Sequence, residues 1–116
     1  MKKLIVLFSL LIASSSFAQV KNATATFDVD GVCGMCKKRI EKACLTTKGV
    51  KSASWDIETH ALTVFFDERK TNIESIKKNI AAAGHDTGDI KAADEAYNKV
   101  DACCKYRDEE VVKAHE

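Results

Sequence analysis

Val29-Asp30-Gly31-Val32-Cys33-Gly34-Met35-Cys36-Lys37-Lys38-Arg39-Ile40 holds two cysteines separated by two residues, where a short strand should turn into a helix. Upstream, Thr24-Ala25-Thr26-Phe27-Asp28-Val29 alternates, with Ala25, Phe27 and Val29 on one side and polar groups on the other, as a half-buried strand requires. Downstream, Cys36, Ile40, Ala43, Cys44 and Thr47 recur at helical spacing, and Gly49 supplies a helix stop. This reading places Cys36 at the positive end of a helix dipole, which favours its thiolate. A thiolate pair serves either as a redox couple or as a soft-metal clamp.

Working outward, Val50 to Ile57 and Ala61 to Phe66 read as two more strands, with Leu62, Val64 and Phe66 on one face and Glu58-Thr59-His60 as the hairpin turn. Thr71-Asn72-Ile73-Glu74 has the form of a capping box. It opens a helix whose Ile73, Ile76, Ile80 and Ala83 make an apolar stripe ending at Gly84, and a last strand is expected over about Thr87 to Ala92. The order strand, helix, strand, strand, helix, strand, joined by right-handed crossovers, gives an α+β fold, the ferredoxin-like βαββαβ sandwich. Beyond it, Tyr97, Val100 and Cys104 share helical spacing, so an additional C-terminal helix is expected over Asp94 to Arg107, followed by a fraying charged tail from Asp108 to Glu116.

The N-terminus reads differently. Met1-Lys2-Lys3, the apolar run Leu4 to Ala13 and the small residues Ser14 to Ala18 form an export signal over residues 1–18, with cleavage after Ala18. The run is too short to span a bilayer, which needs about 20 apolar residues. Domain boundaries follow at 19–92 for the cysteine-bearing domain and 93–116 for the extension. The 18 Lys and Arg balance 17 Asp and Glu, and removal of Lys2 and Lys3 leaves a formal charge of −1. No basic stripe interleaved with aromatics is present, so nucleic acid is not an expected partner, and with no second apolar stretch of membrane length the mature protein is expected to be soluble. Export to the periplasm or medium would put Cys33, Cys36, Cys44, Cys103 and Cys104 where disulfides persist, but an odd count with two adjacent members favours reactive or metal-binding use.

From about Thr24 to Lys91 the chain resembles the heavy-metal-associated domain family of copper chaperones, copper-transporting ATPase modules and periplasmic mercury-binding proteins. Cys33 and Cys36 match the cysteines of its Met-x-Cys-x-x-Cys loop, and Gly49-Val50 and Ala83-Gly84-His85-Asp86 fall where the family has similar dipeptides and turns. Gly31 stands where the family has Met, a residue that usually packs inside and steadies the loop, so a softer loop is expected here. The resemblance implies Cys33 and Cys36 as metal ligands and brings His85 beside them as a third ligand or hydrogen-bond donor. Cys44 and Trp55 are read as core, and His60 as a solvated turn residue at the end away from the cysteines.

Two thiolates on a tight loop suit an ion content with two or three soft ligands: Cu(I) first, with Hg(II) or Ag(I) fitting the same geometry. Zn(II) usually demands four ligands. The chain is therefore read as an exported, non-enzymatic Cu(I) carrier or sequestering protein, passing metal to a metal-transporting membrane protein or another metal-accepting domain. A periplasmic Hg(II)-binding protein is the near alternative. A thiol–disulfide oxidoreductase is the alternative from another class, suggested by Cys33-Gly34-Met35-Cys36-Lys37. Against it stand the absence of proline from the whole chain and the hairpin that directly follows the first helix. Cys103 and Cys104 are read either as extra ligands brought over the loop pair, as a second soft-metal site, or as packing.

Overall fold

Alternation along three segments builds one antiparallel sheet in the computed structural model, which describes residues 20–116; the export signal expected over 1–18 lies outside the described residues. β1 (Ala23–Asp28), β2 (Val50–Trp55) and β3 (Ala61–Phe66) order as β1-β3-β2. The register sets Phe27 and Trp55 on either side of Leu62, and Ala25 and Ala53 on either side of Val64, so the inward sets of all three strands share one face. Helices α1 (Gly34–Leu45) and α2 (Ile73–Ala82) cover that face. Ile40, Cys44, Ile76 and Ile80 pack there against Trp55, Leu62 and Val64 with no exposed surface on any of the helix residues.

Two local signals shift: α1 ends at Leu45 with Thr46 as its C-cap, ahead of the expected stop at Gly49, and the cap of α2 moves by one residue. Asn72, not Thr71, caps α2, its side chain accepting from Ser75 N–H at 2.8 Å. Gly84, with φ +105°, ends the helix in the left-handed region.

Three expectations are corrected. No strand forms over Thr87 to Ala92 among the described residues. One rung is made, Asp30 N–H donating to Asp86 C=O at 2.8 Å, and the chain then folds on itself. Thr87 N–H donates to Ile90 C=O at 2.9 Å, Asp89 N–H to Thr87 C=O at 2.8 Å, and Gly88 adopts φ +76°. The Asp86 carboxylate captures Ala92 N–H at 2.7 Å, so these backbone groups find local partners instead of pairing with β1.

The extension is not one helix either. It comprises α3 (Asp94–Asn98), a 3-10 turn (Ala102–Cys104) and α4 (Glu109–Ala114). Asp101 breaks the run in an extended conformation (φ −59°, ψ 152°), and its carboxylate pairs with Arg39 of α1 at 2.5 Å. The expected fraying tail is instead capped at Asp108 and lays Val111 and Val112 against the core. No described helix is long and apolar enough to cross a membrane.

Candidate metal centre

The cysteine loop is fastened by Trp55. Its indole N–H donates to Val29 C=O at 3.0 Å and His60 C=O at 3.1 Å, tying the end of β1 to the hairpin turn. A Cβ on Gly31 would lie 3.0 Å from two Trp55 ring carbons and 3.1 Å from Cys36 Cβ. The indole thus fills the space above Gly31, where the family pattern places Met. A large side chain from β2 therefore packs on the loop at this point. Lys37 reinforces the same junction by donating to Glu41 at 2.6 Å and to Trp55 C=O at 2.8 Å, while Glu41 accepts from Trp55 N–H at 2.9 Å.

Because β3 runs antiparallel to β1, the β2–β3 turn lies at the cysteine end of the sheet. His60 is therefore beside the cysteine loop, not away from it, with its ring stacked on Trp55 at 5.4 Å. An open cleft beside Cys33 is lined by Val32, Ile57, His60, Val112 and His115.

Cys33 caps α1, and Cys36 sits in its first turn, where Val32 N–H points at the Cys36 sulfur from 3.4 Å. Cys36 has no exposed surface and Cys33 is buried too. The cover is the extension. The Cys33 sulfur lies 3.5 Å from Cys36, 3.3 Å from Cys103 and 3.2 Å from Cys104, and Cys36 is joined to Cys104 in a disulfide with Cα atoms 5.7 Å apart. Four sulfurs thus meet at one point, and Met35 Sδ adds a fifth, 3.6 Å from Cys103 on the solvent side. The Met35 contact escaped the sequence reading because nothing in spacing signals where a C-terminal thiol will land. The neighbouring Cys33 sulfur pushes the Cys103 thiol above its ordinary pKa. Cys44 is apart, buried in the core; burial raises its thiol to about 12 and makes it an inert packing group.

His85 is not brought to the sulfurs. It is fully buried, its Nδ1–H donating to Asp30 C=O at 2.8 Å and Nε2 facing Arg39 Nη1 at 3.4 Å. Burial lowers its pKa below the ordinary value, consistent with a neutral ring in this tautomer. Tyr106 stacks on it at 5.5 Å. The role left to His85 is structural: it ties the α2 exit to the backbone just before the cysteine loop.

The extension is clamped beside it. Arg107 donates to both oxygens of Asp86, at 2.8 and 3.3 Å, and to Ala92 C=O at 2.8 Å, with its guanidinium 4.3 Å from the Tyr97 ring centroid. Tyr106 donates to Gly84 C=O at 2.7 Å. A Cβ on Gly84 would come within 2.5 Å of Val100, so the glycine serves both the helix exit and the close approach of the extension.

Paired thiols at a helix N-terminus, on an α+β sandwich, define the class: a small soft-metal-binding domain. The family described as "Heavy-metal-associated domain" matches residues 26–86, and the chain belongs to that family. It accordingly carries a heavy-metal-binding domain. The mercuric transport protein periplasmic component of Pseudomonas aeruginosa is 34% identical over 88 residues, covering 73% of this chain and 93% of that protein. A copper-exporting P-type ATPase of Staphylococcus saprophyticus is 35% identical over 68 residues, covering 58% of this chain. The chain spans about a tenth of the length of the copper-exporting ATPases it matches. Among solved structures, a CopZ metallochaperone superposes with a TM-score of 0.54 at 30% identity, over 56% of this chain and 98% of that one.

Proposed function

We propose that this chain is an exported soft-metal carrier or sequestering protein that holds Cu(I) between Cys33 and Cys36, after removal of residues 1–18 near Ala18. The observation that carries the reading is the placement of both thiols at the start of α1, with the Val32 amide aimed at the Cys36 sulfur. Helix-end amides stabilise thiolates, and two thiolates satisfy Cu(I) without a third ligand. Metal binding requires the reduced chain, since a cysteine in a disulfide has no thiolate to give. The cleft beside Cys33 supplies the route by which a metal-transporting membrane protein or another metal-accepting domain would reach the ion.

Competition with a chromogenic Cu(I) chelator under anaerobic reducing conditions tests this. Cys33→Ser with Cys36→Ser should abolish tight Cu(I) binding, and unchanged affinity would sink the assignment. Intact-mass measurement of the protein recovered from its native compartment should find Gln19 as the first residue.

Hg(II) is the second reading. It is favoured by the near-complete coverage of the periplasmic mercuric relative, and Hg(II) too is content with two thiolates. Elemental analysis of protein purified anaerobically from its own cells decides between the two.

A further inference from the structure

The extension brings two more thiols to the loop pair, and four thiolates select a different class of ion. We propose that in the reduced chain Cys33, Cys36, Cys103 and Cys104 form a closed tetrathiolate site for a tetrahedral divalent d10 cation, Zn(II) or Cd(II). The extension then turns a loop suited to handing metal on into one that retains it. This rests on the reading of Cys33 and Cys36 as metal ligands.

The geometry carries it. Zinc–thiolate bonds of about 2.3 Å put the sulfurs of a tetrahedral site about 3.8 Å apart. Cys33 already has its three partners at 3.2 to 3.5 Å, so those edges need to open by only a few tenths of an ångström. The Cys36–Cys104 edge opens on reduction. A dithiol reductant delivers two electrons and two protons to the disulfide, leaves as its own disulfide, and returns Cys36 and Cys104 as thiols. With the two Cα atoms 5.7 Å apart, rotation about the side-chain bonds is enough to separate the sulfurs. The metal then displaces the thiol protons.

Charge and access point the same way. Four thiolates around a divalent ion leave two net negative charges, against three around a monovalent one, and each surplus charge is costly in a site this dry. Cys36 and Cys104 have no exposed surface, and Cys33 has 9%. With four thiolates no coordination position is left for an incoming ligand, which is the mark of a structural rather than a transfer site. The donor pattern of one Cys-x-x-Cys loop plus a second pair from elsewhere in the chain is the usual way to complete four-coordination.

Cadmium-113 NMR of the reduced full chain, with anaerobic Cd(II) titration, provides the test. The expected result is one Cd(II) per chain, a chemical shift in the tetrathiolate range, and protection by the metal of Cys33, Cys36, Cys103 and Cys104 from alkylation. Cys103→Ser with Cys104→Ser should move the shift into the two-sulfur range and weaken Cd(II) binding by more than about 100-fold, exceeding what loss of an outer-shell partner costs. A wild-type shift outside the tetrathiolate range, or Cd(II) affinity and shift unaltered by the double substitution, overturns the proposal. Neither outcome touches the Cu(I) competition assay, whose own failure is read only from the loop variant. The wild-type shift is decisive even if the variant's extension detaches.

Discussion

In the βαββα body, α1 and α2 lay Ile40, Ile76 and Ile80 on Leu62, Val64 and Trp55, and apolar burial dominates. Across Asp94–Ala114 only Val100 and Cys104 are deeply buried, and the segment is held by Arg107 on Asp86 and Ala92, Tyr106 on Gly84, Asp101 on Arg39, and the sulfur cluster. The first set of forces is non-directional and cooperative. The second is directional, local and sensitive to pH and reductant. A body of the first kind keeps its fold while a strap of the second kind changes state over it, and in this protein the strap covers the thiols.

The comparison is broken most completely from the body side. Trp55→Ala removes the largest buried side chain together with both indole hydrogen bonds to the loop. A loss of about 3–5 kcal/mol is expected, enough to threaten a domain this small. Thermal unfolding followed by far-UV circular dichroism should show body and extension lost together.

Arg107→Ala acts on the strap alone. It leaves Asp86 without its guanidinium and Ala92 C=O without a donor, a local cost of about 1.5–3 kcal/mol for a charge-assisted bond. Hydrogen exchange should rise across α3 to α4 while amides of β1 and β3 stay protected, and trypsin should cut at Lys99 and Lys105 first. Equal acceleration in the sheet would mean that the two regions form one cooperative unit.

Acid should reproduce that difference without a mutation. His85 titrates below its ordinary value because burial disfavours its charge, so the unfolded chain binds more protons below about pH 6.5 and stability falls as pH drops through that range. Burial alone would raise Asp86, but Arg107 and the Ala92 amide outweigh it and hold it below the usual carboxylate range. Its contribution is present above about pH 4 and lost as pH falls through the lowered value. Melting temperature should be flat above neutral pH and decline in two steps below it. His85→Gln should remove the upper step, and a persistent upper step would assign it to another group.

The smallest effect is expected from Tyr106→Phe. It keeps the ring on His85 and Tyr97 but loses the bond to Gly84 C=O, for about 1 kcal/mol. Urea unfolding should resolve it as a small fall in midpoint at constant slope.

What could be read from residues alone is whatever repeats at short range. Ala25-Phe27-Val29 and Leu62-Val64-Phe66 declare their strands, Ile76 and Ile80 their helix, and Cys33-x-x-Cys36 its place before α1, because period and capping are properties of neighbouring residues. The burial of Cys44 and Trp55 follows from the same patterns. The last strand was lost to one local partner and one distant one: the Asp86 carboxylate, six residues away, takes Ala92 N–H, and Arg107 of the extension takes Ala92 C=O. Helical spacing over Tyr97, Val100 and Cys104 was real, yet Arg39, more than 60 residues earlier, captures Asp101 where the helix breaks. His60 joined the cysteine end because antiparallel pairing turns β2 into β3 there, and Trp55 could replace a methionine above Gly31 because two strands bring them together. The meeting of Cys103 and Cys104 with Cys33 is the clearest case. A separation of 70 residues carries no periodic signal, and only packing of the extension across the start of α1 brings the four sulfurs to one point.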